Sequence, residues 1–234
     1  SGYDGDSVKL FIHQGEYQLS SYPNLNYTNP ANNSLKLKII GLHDDDVYFE
    51  PTASSVSIYA NRVNATFENI KFMRPGTGDY KLSFTSGANA QYSFVSCHFG
   101  RTSSYSENVF STTFSGLSGL SLNNCIVKYS NDIDAGSMRF LNCSDVLINS
   151  SYFIRNQARG GGAIYLENCE DVDISLCHFY ANTATAYVCP NTQIGDANPG
   201  GAMYAVDSSE INLRNNCFKH NVTTGSGGPV YLHN

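Results

Sequence analysis

Gly161-Gly162-Ala163-Ile164-Tyr165-Leu166 returns as Gly200-Gly201-Ala202-Met203-Tyr204-Ala205, and again as Gly227-Gly228-Pro229-Val230-Tyr231-Leu232. Self-similarity at a fixed spacing is the mark of a repeat architecture, and it decides how the rest of the chain is read. Beyond the first copy lies a second shared stretch: Val172 and Ile174, two residues apart, with Phe179 five residues later. The same spacing recurs at Ile211, Leu213 and Phe218. Upstream it recurs at Val146, Ile148 and Phe153, at Leu120, Leu122 and Val127, at Tyr92, Phe94 and Phe99, and at Ala65, Phe67 and Phe72. Successive first positions are 27, 28, 26, 26 and 39 residues apart, so the last step is one unit plus a 13-residue insertion between Asn182 and Gly200.

A second column of alternating residues runs ahead of the first: Val56-Ile58, Leu82-Phe84, Thr112-Phe114, Met138-Phe140, Ile164-Leu166, Met203-Ala205 and Val230-Leu232. Alternation over three to five residues, bounded by Asn, Asp and Gly, is a strand signal, and no window carries a competing helical period. A unit of about 26 residues with two or three short strands cannot bury an apolar face alone, so the units must stack. Stacking strands about 4.8 Å apart places equivalent Phe, Ile and Leu over one another in internal ladders. That describes an all-β chain, a parallel β-helix of about eight rungs of 26 to 28 residues, with a loop insertion near 183–199. A leucine-rich horseshoe lacks its framework here, and a propeller would need antiparallel blades of about 40 residues.

The reading is of one solenoid domain over residues 1–234, with irregular N-terminal rungs over 1–60 and regular rungs over 61–234. In the N-terminal part Val8, Leu10 and Ile12 alternate and Gly15 ends that strand. Leu35, Leu37 and Ile39 form another, Val47 and Phe49 follow, and the Tyr22 to Asn33 segment reads as a polar loop. The chain stops one strand into a new unit, so it is expected to be a fragment of a longer protein whose solenoid ends could self-associate.

Composition agrees with this architecture. Only 34 of 234 residues are charged, while Asn and Ser together number 53, which favours strands and turns over solvated helices. A net charge of −6 disfavours nucleic acid and anionic membrane as partners, and no apolar run is long enough to insert directly in a bilayer. Seven cysteines without a Cys-x-x-Cys pair suggest neither a zinc site nor a dense disulfide scaffold.

The paired tetrapeptides carry a resemblance. Gly161-Gly162-Ala163-Ile164 and Gly200-Gly201-Ala202-Met203 look like a Gly-Gly-Ala-apolar motif. Phe153-Ile154-Arg155-Asn156, Phe179-Tyr180-Ala181-Asn182 and Phe218-Lys219-His220-Asn221 match Phe-x-x-Asn. In alternating order at repeat spacing, these resemble polymorphic outer membrane proteins, best known from chlamydiae, with similar repeats in surface proteins of some protists and archaea. The resemblance covers residues 153–234; upstream, Phe72 and Phe99 are not followed by Asn, Val127 replaces Phe, and Gly136 lacks a Gly-Gly-Ala. It implies a right-handed β-helix acting as a cell-surface passenger at the outer membrane, often ahead of a C-terminal barrel, and adhering to a host-cell receptor or glycan.

Within the repeat, Phe is expected in the core ladder. Asn is expected to turn the chain, since it tolerates left-handed backbone and its amide can bond the Asn above and below. The Gly pair would allow a tight corner. Cys97 and Cys125 share one repeat position and Cys143 and Cys169 another, so inter-rung disulfides Cys97–Cys125 and Cys143–Cys169 are geometrically open; Cys189 could reach Cys177 or Cys217. The alternative is a reduced ladder of small buried side chains. Six Asn-x-Ser/Thr sequons begin at Asn26, Asn32, Asn64, Asn142, Asn149 and Asn221, of which Asn26 and Asn32 in the polar loop suit modification best.

For catalysis the chain offers little. Asp44-Asp45-Asp46 reads as a solvated turn, Asn131 to Gly136 only faintly resembles a calcium loop, and carboxylates do not recur in the strand columns as a glycosidase would need. His98 and His178 share a repeat position three units apart, too far to share a metal. The expectation is therefore a non-enzymatic adhesin without cofactor or metal, with a carbohydrate-active β-helix or a passive stalk as alternatives. Recognition is expected in loops held on a rigid scaffold: first the insertion with Tyr187, Asn191, Gln193 and Asp196, then the 22–33 loop and the Ser103 to Ser106 turn.

Overall fold

A computed structural model describes residues 7–19, 22–27, 35–42, 47–51, 53–74, 80–101, 109–132, 136–185, 200–225 and 227–233. Among them the chain winds into a parallel β-helix with three long faces, each an eight-stranded sheet, and no helix. The first face runs Ser7–Ile12, Leu35–Gly41, Val63–Glu68, Gln91–Val95, Ser118–Asn123, Ser144–Asn149, Glu170–Ser175 and Ile211–Arg214. On the second face lie Gly15–Leu19, Val47–Pro51, Lys71–Arg74, His98–Arg101, Ile126–Lys128, Tyr152–Ile154, His178–Tyr180 and Cys217–Lys219. The third holds Asn24–Asn26, Ser55–Asn61, Tyr80–Ser86, Phe110–Ser115, Gly136–Leu141, Gly161–Glu167, Met203–Val206 and Val230–His233.

The registers reproduce the sequence columns. Val146 pairs with Val172 and Ile148 with Ile174, Phe153 faces Phe179, and Met138 lies beside Ile164. Alternation points one set inward on each face, so the core is a bundle of ladders: Phe67, Phe94, Leu122, Ile148 and Ile174 on the first face, Phe72, Phe99, Val127, Phe153 and Phe179 on the second, Phe84, Phe114, Phe140 and Leu166 on the third. Register stacks the rings face to face, with centroids 5.1 Å apart for Phe72 and Phe99 and 5.2 Å for Phe84 and Phe114. Rings from different faces meet edge-on, as Phe84 does with Phe94 at 4.9 Å. Each fully buried ring contributes about 1.5–3 kcal/mol by leaving water.

The N-terminal segment is more regular than its sequence suggests. Gly15 opens a second-face strand rather than only ending the first, and the expected polar loop from Tyr22 contains the strand Asn24–Asn26, which pairs with Tyr59 to Asn61. Polar residues hid it: Asn24 and Asn26 are exposed and only Leu25 packs inward. Residues 28–34 of that segment lie outside the described residues.

The corners follow one rule. A residue with left-handed backbone turns the chain, and the next residue points a small polar or apolar side chain inward. Between first and second faces the turning residues are Asn69, Ser96, Asn124, Ser150, Leu176 and Asn215, with φ of 50–55°. The inward residues that follow are Ile70, Cys97, Cys125, Ser151, Cys177 and Asn216. Between third and first faces Asn142, Asn168 and Asp207 turn ahead of Cys143, Cys169 and Ser208. Left-handed backbone costs an ordinary residue about 1–2 kcal/mol, less for Asn and Asp, whose side chains bond locally. Among the described residues, half of the 18 non-glycine left-handed ones are Asn or Asp, so the abundance of Asn has a backbone cause.

Candidate functional site

The Phe-x-x-Asn units form the third corner, between second and third faces. Here the expectation about Asn is corrected: the left-handed residues are Arg155, Ala181 and His220, each one position before the Asn. Asn156 and Asn182 instead turn inward and are buried. The corner leaves backbone groups without strand partners, and only a side chain carrying both donor and acceptor can serve them. Asn182 Oδ1 accepts from the Asn156 N–H and from Asn156 Nδ2, both at 3.0 Å. Asn182 Nδ2 donates to the Phe153 carbonyl at 3.0 Å and to Asn221 Oδ1 at 2.9 Å. Asn221 Nδ2 donates in turn to the Phe179 carbonyl at 2.9 Å, and the Ser130 N–H donates to Asn156 Oδ1 at 3.1 Å. The expected bonding of each Asn to those above and below is thus present, and Phe153 and Phe179 stack at 4.7 Å inside it.

Beside this corner Gln157–Ala158, Thr183–Ala184 and Val222–Thr223 form a short three-stranded sheet. Two-residue strands carry no period and leave no trace in the apolar pattern. They move the start of the insertion: Thr183 and Ala184 pair in register with neighbouring rungs and belong to the scaffold. Residues 186–199, with Tyr187, Cys189, Asn191, Gln193 and Asp196, lie outside the described residues, as do Asn32, Asp44 to Asp46 and Ser103 to Ser106.

The Gly-Gly-Ala units are a packing device. Gly136 pairs with Gly161 while Met138 pairs with Ile164, so Gly162 and Ala163 together stand opposite Ser137 in a bulge. A Cβ on Gly161 would drive into the Ile164 carbonyl oxygen and the Tyr204 nitrogen of the next rung, and one on Gly200 into the Met203 carbonyl. Backbone cannot yield as a side-chain tip can. Gly161→Ala is therefore expected to destabilise the chain by about 3 kcal/mol, the upper range for overpacking, read as a lower urea midpoint at unchanged slope. Gly116→Ala, where no atom stands within 4 Å of the added methyl, is the comparison; it suffers only the backbone cost of its φ of 64°.

Five of the six described cysteines are buried corner residues, and all six are free thiols. Cys97 and Cys125 stack in one corner and Cys143 and Cys169 in another, as their spacing predicts; Cys177 joins the first column, and Cys217 lies exposed on the second face. Their sulfurs face carbonyls rather than bridge. Cys125 Sγ donates toward Phe94 and Asn123 oxygens at 3.4 and 3.5 Å, and Cys177 Sγ toward the Ser175 oxygen at 3.2 Å. Ser151 and Ser208 do the same work at equivalent corners, Ser151 Oγ donating to the Asn149 oxygen at 2.9 Å. Burial pushes the Cys125 thiol up to about 12 and that of Cys177 to about 11. A hydrogen bond with Cys169, then burial, raises Cys143 further. The same hydrogen bond holds the Cys169 thiol down at about 7. Thiolates are the reactive form, so iodoacetamide at pH 8 should label the exposed Cys217 promptly while Cys97, Cys125, Cys143 and Cys177 react only on unfolding. Peptide mapping with and without urea checks this.

The outward columns separate residues that might have acted together. His98 and His178 share a second-face column, divided by Ile126 and Tyr152, and His178 stacks on Tyr152 at 5.0 Å. Among the described residues no three His, Cys, Asp or Glu side chains are grouped to hold a metal. Asp132, from the stretch resembling a calcium loop, is buried at the edge of the third corner, its N–H donating to the Gln157 carbonyl, and Ile133 to Ala135 lie outside the described residues. Carboxylates do recur in a strand column, contrary to expectation: Asp145 and Asp171, then Glu210, occupy the left-handed position that opens three consecutive first-face strands. The position demands backbone tolerance, which the apolar spacing does not register. All three are exposed, with no apolar wall to set one carboxyl apart from the next as acid–base work requires. Asn26, suited to modification, is exposed on its strand, where its Oδ1 accepts from Asn61 Nδ2 at 3.0 Å.

No family model matches the sequence, and no curated protein matches it. Among solved structures, the chain is similar to the pectin methylesterase of Aspergillus niger in a deglycosylated form, at 14% identity. The alignment covers 99% of this chain and 76% of that one, with a TM-score of 0.39. The solenoid architecture rests on the strand registers described above. No helix among the described residues is long and apolar enough to cross a membrane.

Proposed function

We propose that the chain is a non-enzymatic passenger of a cell-surface adhesin of the polymorphic outer membrane protein kind, displayed outside the cell to engage a host receptor or glycan. The observation that carries this reading is the continuity of register across the insertion. Val172 pairs with Ile211, Phe179 with Phe218 and Ile164 with Met203, although the partners stand 39 residues apart instead of 26. The scaffold thus carries an extra segment without yielding to it, the arrangement expected when a rigid support presents a variable contact surface. The Phe-x-x-Asn and Gly-Gly-Ala residues are engaged in corners and core, which leaves recognition to what projects. Tyr187 is the aromatic anchor of that segment, with Asn191, Gln193 and Asp196 as its polar contacts.

Replacing residues 186–198 by a short Gly-Ser linker should leave the melting temperature within a few degrees of the parent and abolish attachment of protein-coated beads to cultured epithelial cells. Attachment that survives the replacement removes the insertion as the contact site.

A further inference from the structure

The first face carries a depression that the adhesin reading does not use. Two of its outward columns consist, over three consecutive strands, of uncharged side chains. Asn64 is followed by Gln91 and Gly119, and Thr66 pairs with Ser93, which pairs with Ser121. On either side the columns change character. Lys9 and Lys38 stand upstream, the latter ion-paired with Glu68, and Asp145, Leu147 and Asp173 stand downstream. Small residues between larger ones leave a hollow of about 280 Å³, lined by Asn64, Thr66, Gln91, Ser93, Ser121 and Leu147 among others. Gly119 shapes its floor, because the Gln91 amide lies where a Cβ on Gly119 would stand. Two further hollows adjoin it. One of 460 Å³ shares Asn64 and Gln91 and rounds the corner over Gly87 and Gly116; one of 380 Å³ shares Asn64 and Thr66 and runs toward Lys9.

We propose that this trough binds a linear neutral oligosaccharide lying along the solenoid axis. Its side chains are hydroxyls and carboxamides, which both donate and accept at short range, as sugar hydroxyls do. Hydroxyls recur at each of the three rungs, on Thr66, Ser93 and Ser121, about 4.8 Å apart, a spacing close to one pyranose residue of an extended chain, so successive sugars meet equivalent hydroxyl partners. Leu147, 45% exposed at the downstream lip, offers the apolar contact that a sugar ring's C–H face takes. Asp145 is the one charged residue lining the central hollow, and its Oδ2 already accepts from Ser118 Oγ at 3.2 Å. An anionic chain therefore gains nothing at the centre. A peptide strand is poorly served as well, because the surface is a sheet face whose backbone groups are spent in the ladders, not an edge. The inference is independent of the adhesin reading, since none of the trough residues belongs to the insertion.

The test is titration calorimetry with cello-, malto-, manno- and chitotetraose, and with tetragalacturonate as the charged counterpart. The protein is produced without N-glycosylation, because Asn64 opens a sequon. At least one neutral tetrasaccharide should bind, and more tightly than tetragalacturonate. Ser121→Arg, which fills the hollow, and Gln91→Ala, which removes an exposed amide, should each weaken binding by about tenfold, as expected for one or two lost hydrogen bonds. Asn212→Arg, in the same column three strands further on, should change nothing. The proposal is overturned if no neutral tetrasaccharide binds, if tetragalacturonate binds as tightly, or if Ser121→Arg and Gln91→Ala both bind like the parent.

Discussion

Asn182→Leu is expected to destabilise the chain by about 4 kcal/mol, because it removes four hydrogen bonds and strands buried groups on its neighbours. Leucine keeps asparagine's side-chain branching and heavy-atom count, so the change is chiefly one of polarity, with some overpacking added. The Asn156 N–H would lose its acceptor and the Phe153 carbonyl its donor, both inside a corner closed to water. Each stranded group costs about 1–3 kcal/mol. For a chain of this size the loss reads as a fall of roughly 10 °C in melting temperature. Asn221→Leu should cost less than half as much, since Asn221 is only partly buried and stands at the end of the described ladder. Equal effects at the two positions would mean that the corner draws its stability from something other than the amide relay. Loss of cell attachment with unchanged melting temperature would instead make Asn182 a contact residue.

Phe179→Ala carries a comparable expected cost, about 4 kcal/mol, within the range for truncating a buried aromatic. Phe179 is fully buried, between Phe153 at 4.7 Å and Phe218 at 4.6 Å, with ring planes within 6° of parallel. Removing it opens a cavity in a column whose neighbours are fixed by backbone register and cannot move in to fill it. The column itself supplies the control, since the equivalent position two rungs earlier holds Val127, equally buried. Phe179→Val should therefore cost about half as much as Phe179→Ala, the remaining side chain still covering the floor of the site. Chemical denaturation of the three proteins at matched concentration measures both differences.

Most of the fold was legible because its core obeys a period of two within strands and about 26 between them, and both are written in apolar residues. Val172, Ile174 and Phe179 could be matched by eye to Val146, Ile148 and Phe153, and the register agrees. What escaped was carried by other means. The strand Asn24–Asn26 presents one apolar residue, too few to show alternation. The turning residues of the Phe-x-x-Asn corner are Arg155, Ala181 and His220, three types without a shared backbone preference, whereas the recurring Asn beside them is a common left-handed residue. Asp145, Asp171 and Glu210 fall just ahead of the apolar pair, outside the alternating columns. The first-face trough could not be seen as a hollow from sequence, since Ser93, Ser121 and Gly119 become a floor only when larger neighbours on adjoining rungs define walls. For the candidate contact loop, sequence supplied the position, and the register assigned Thr183 and Ala184 to the scaffold.

The corner bonds also bear on how such a chain comes to be folded. Ser130 reaches Asn156, Asn156 reaches Asn182, and Asn182 reaches Asn221, spans of 26, 26 and 39 residues. No partner needed by one rung lies further along the chain than the next rung. A finished rung is thus a complete template for its successor, and growth can proceed in the order in which the polypeptide is delivered, from either end. The longer third step changes little, because extending a closing loop from 26 to 39 residues adds only about 0.4 kcal/mol of entropy. Folding by successive addition lets each rung form on the one before it without waiting for the rest of the chain.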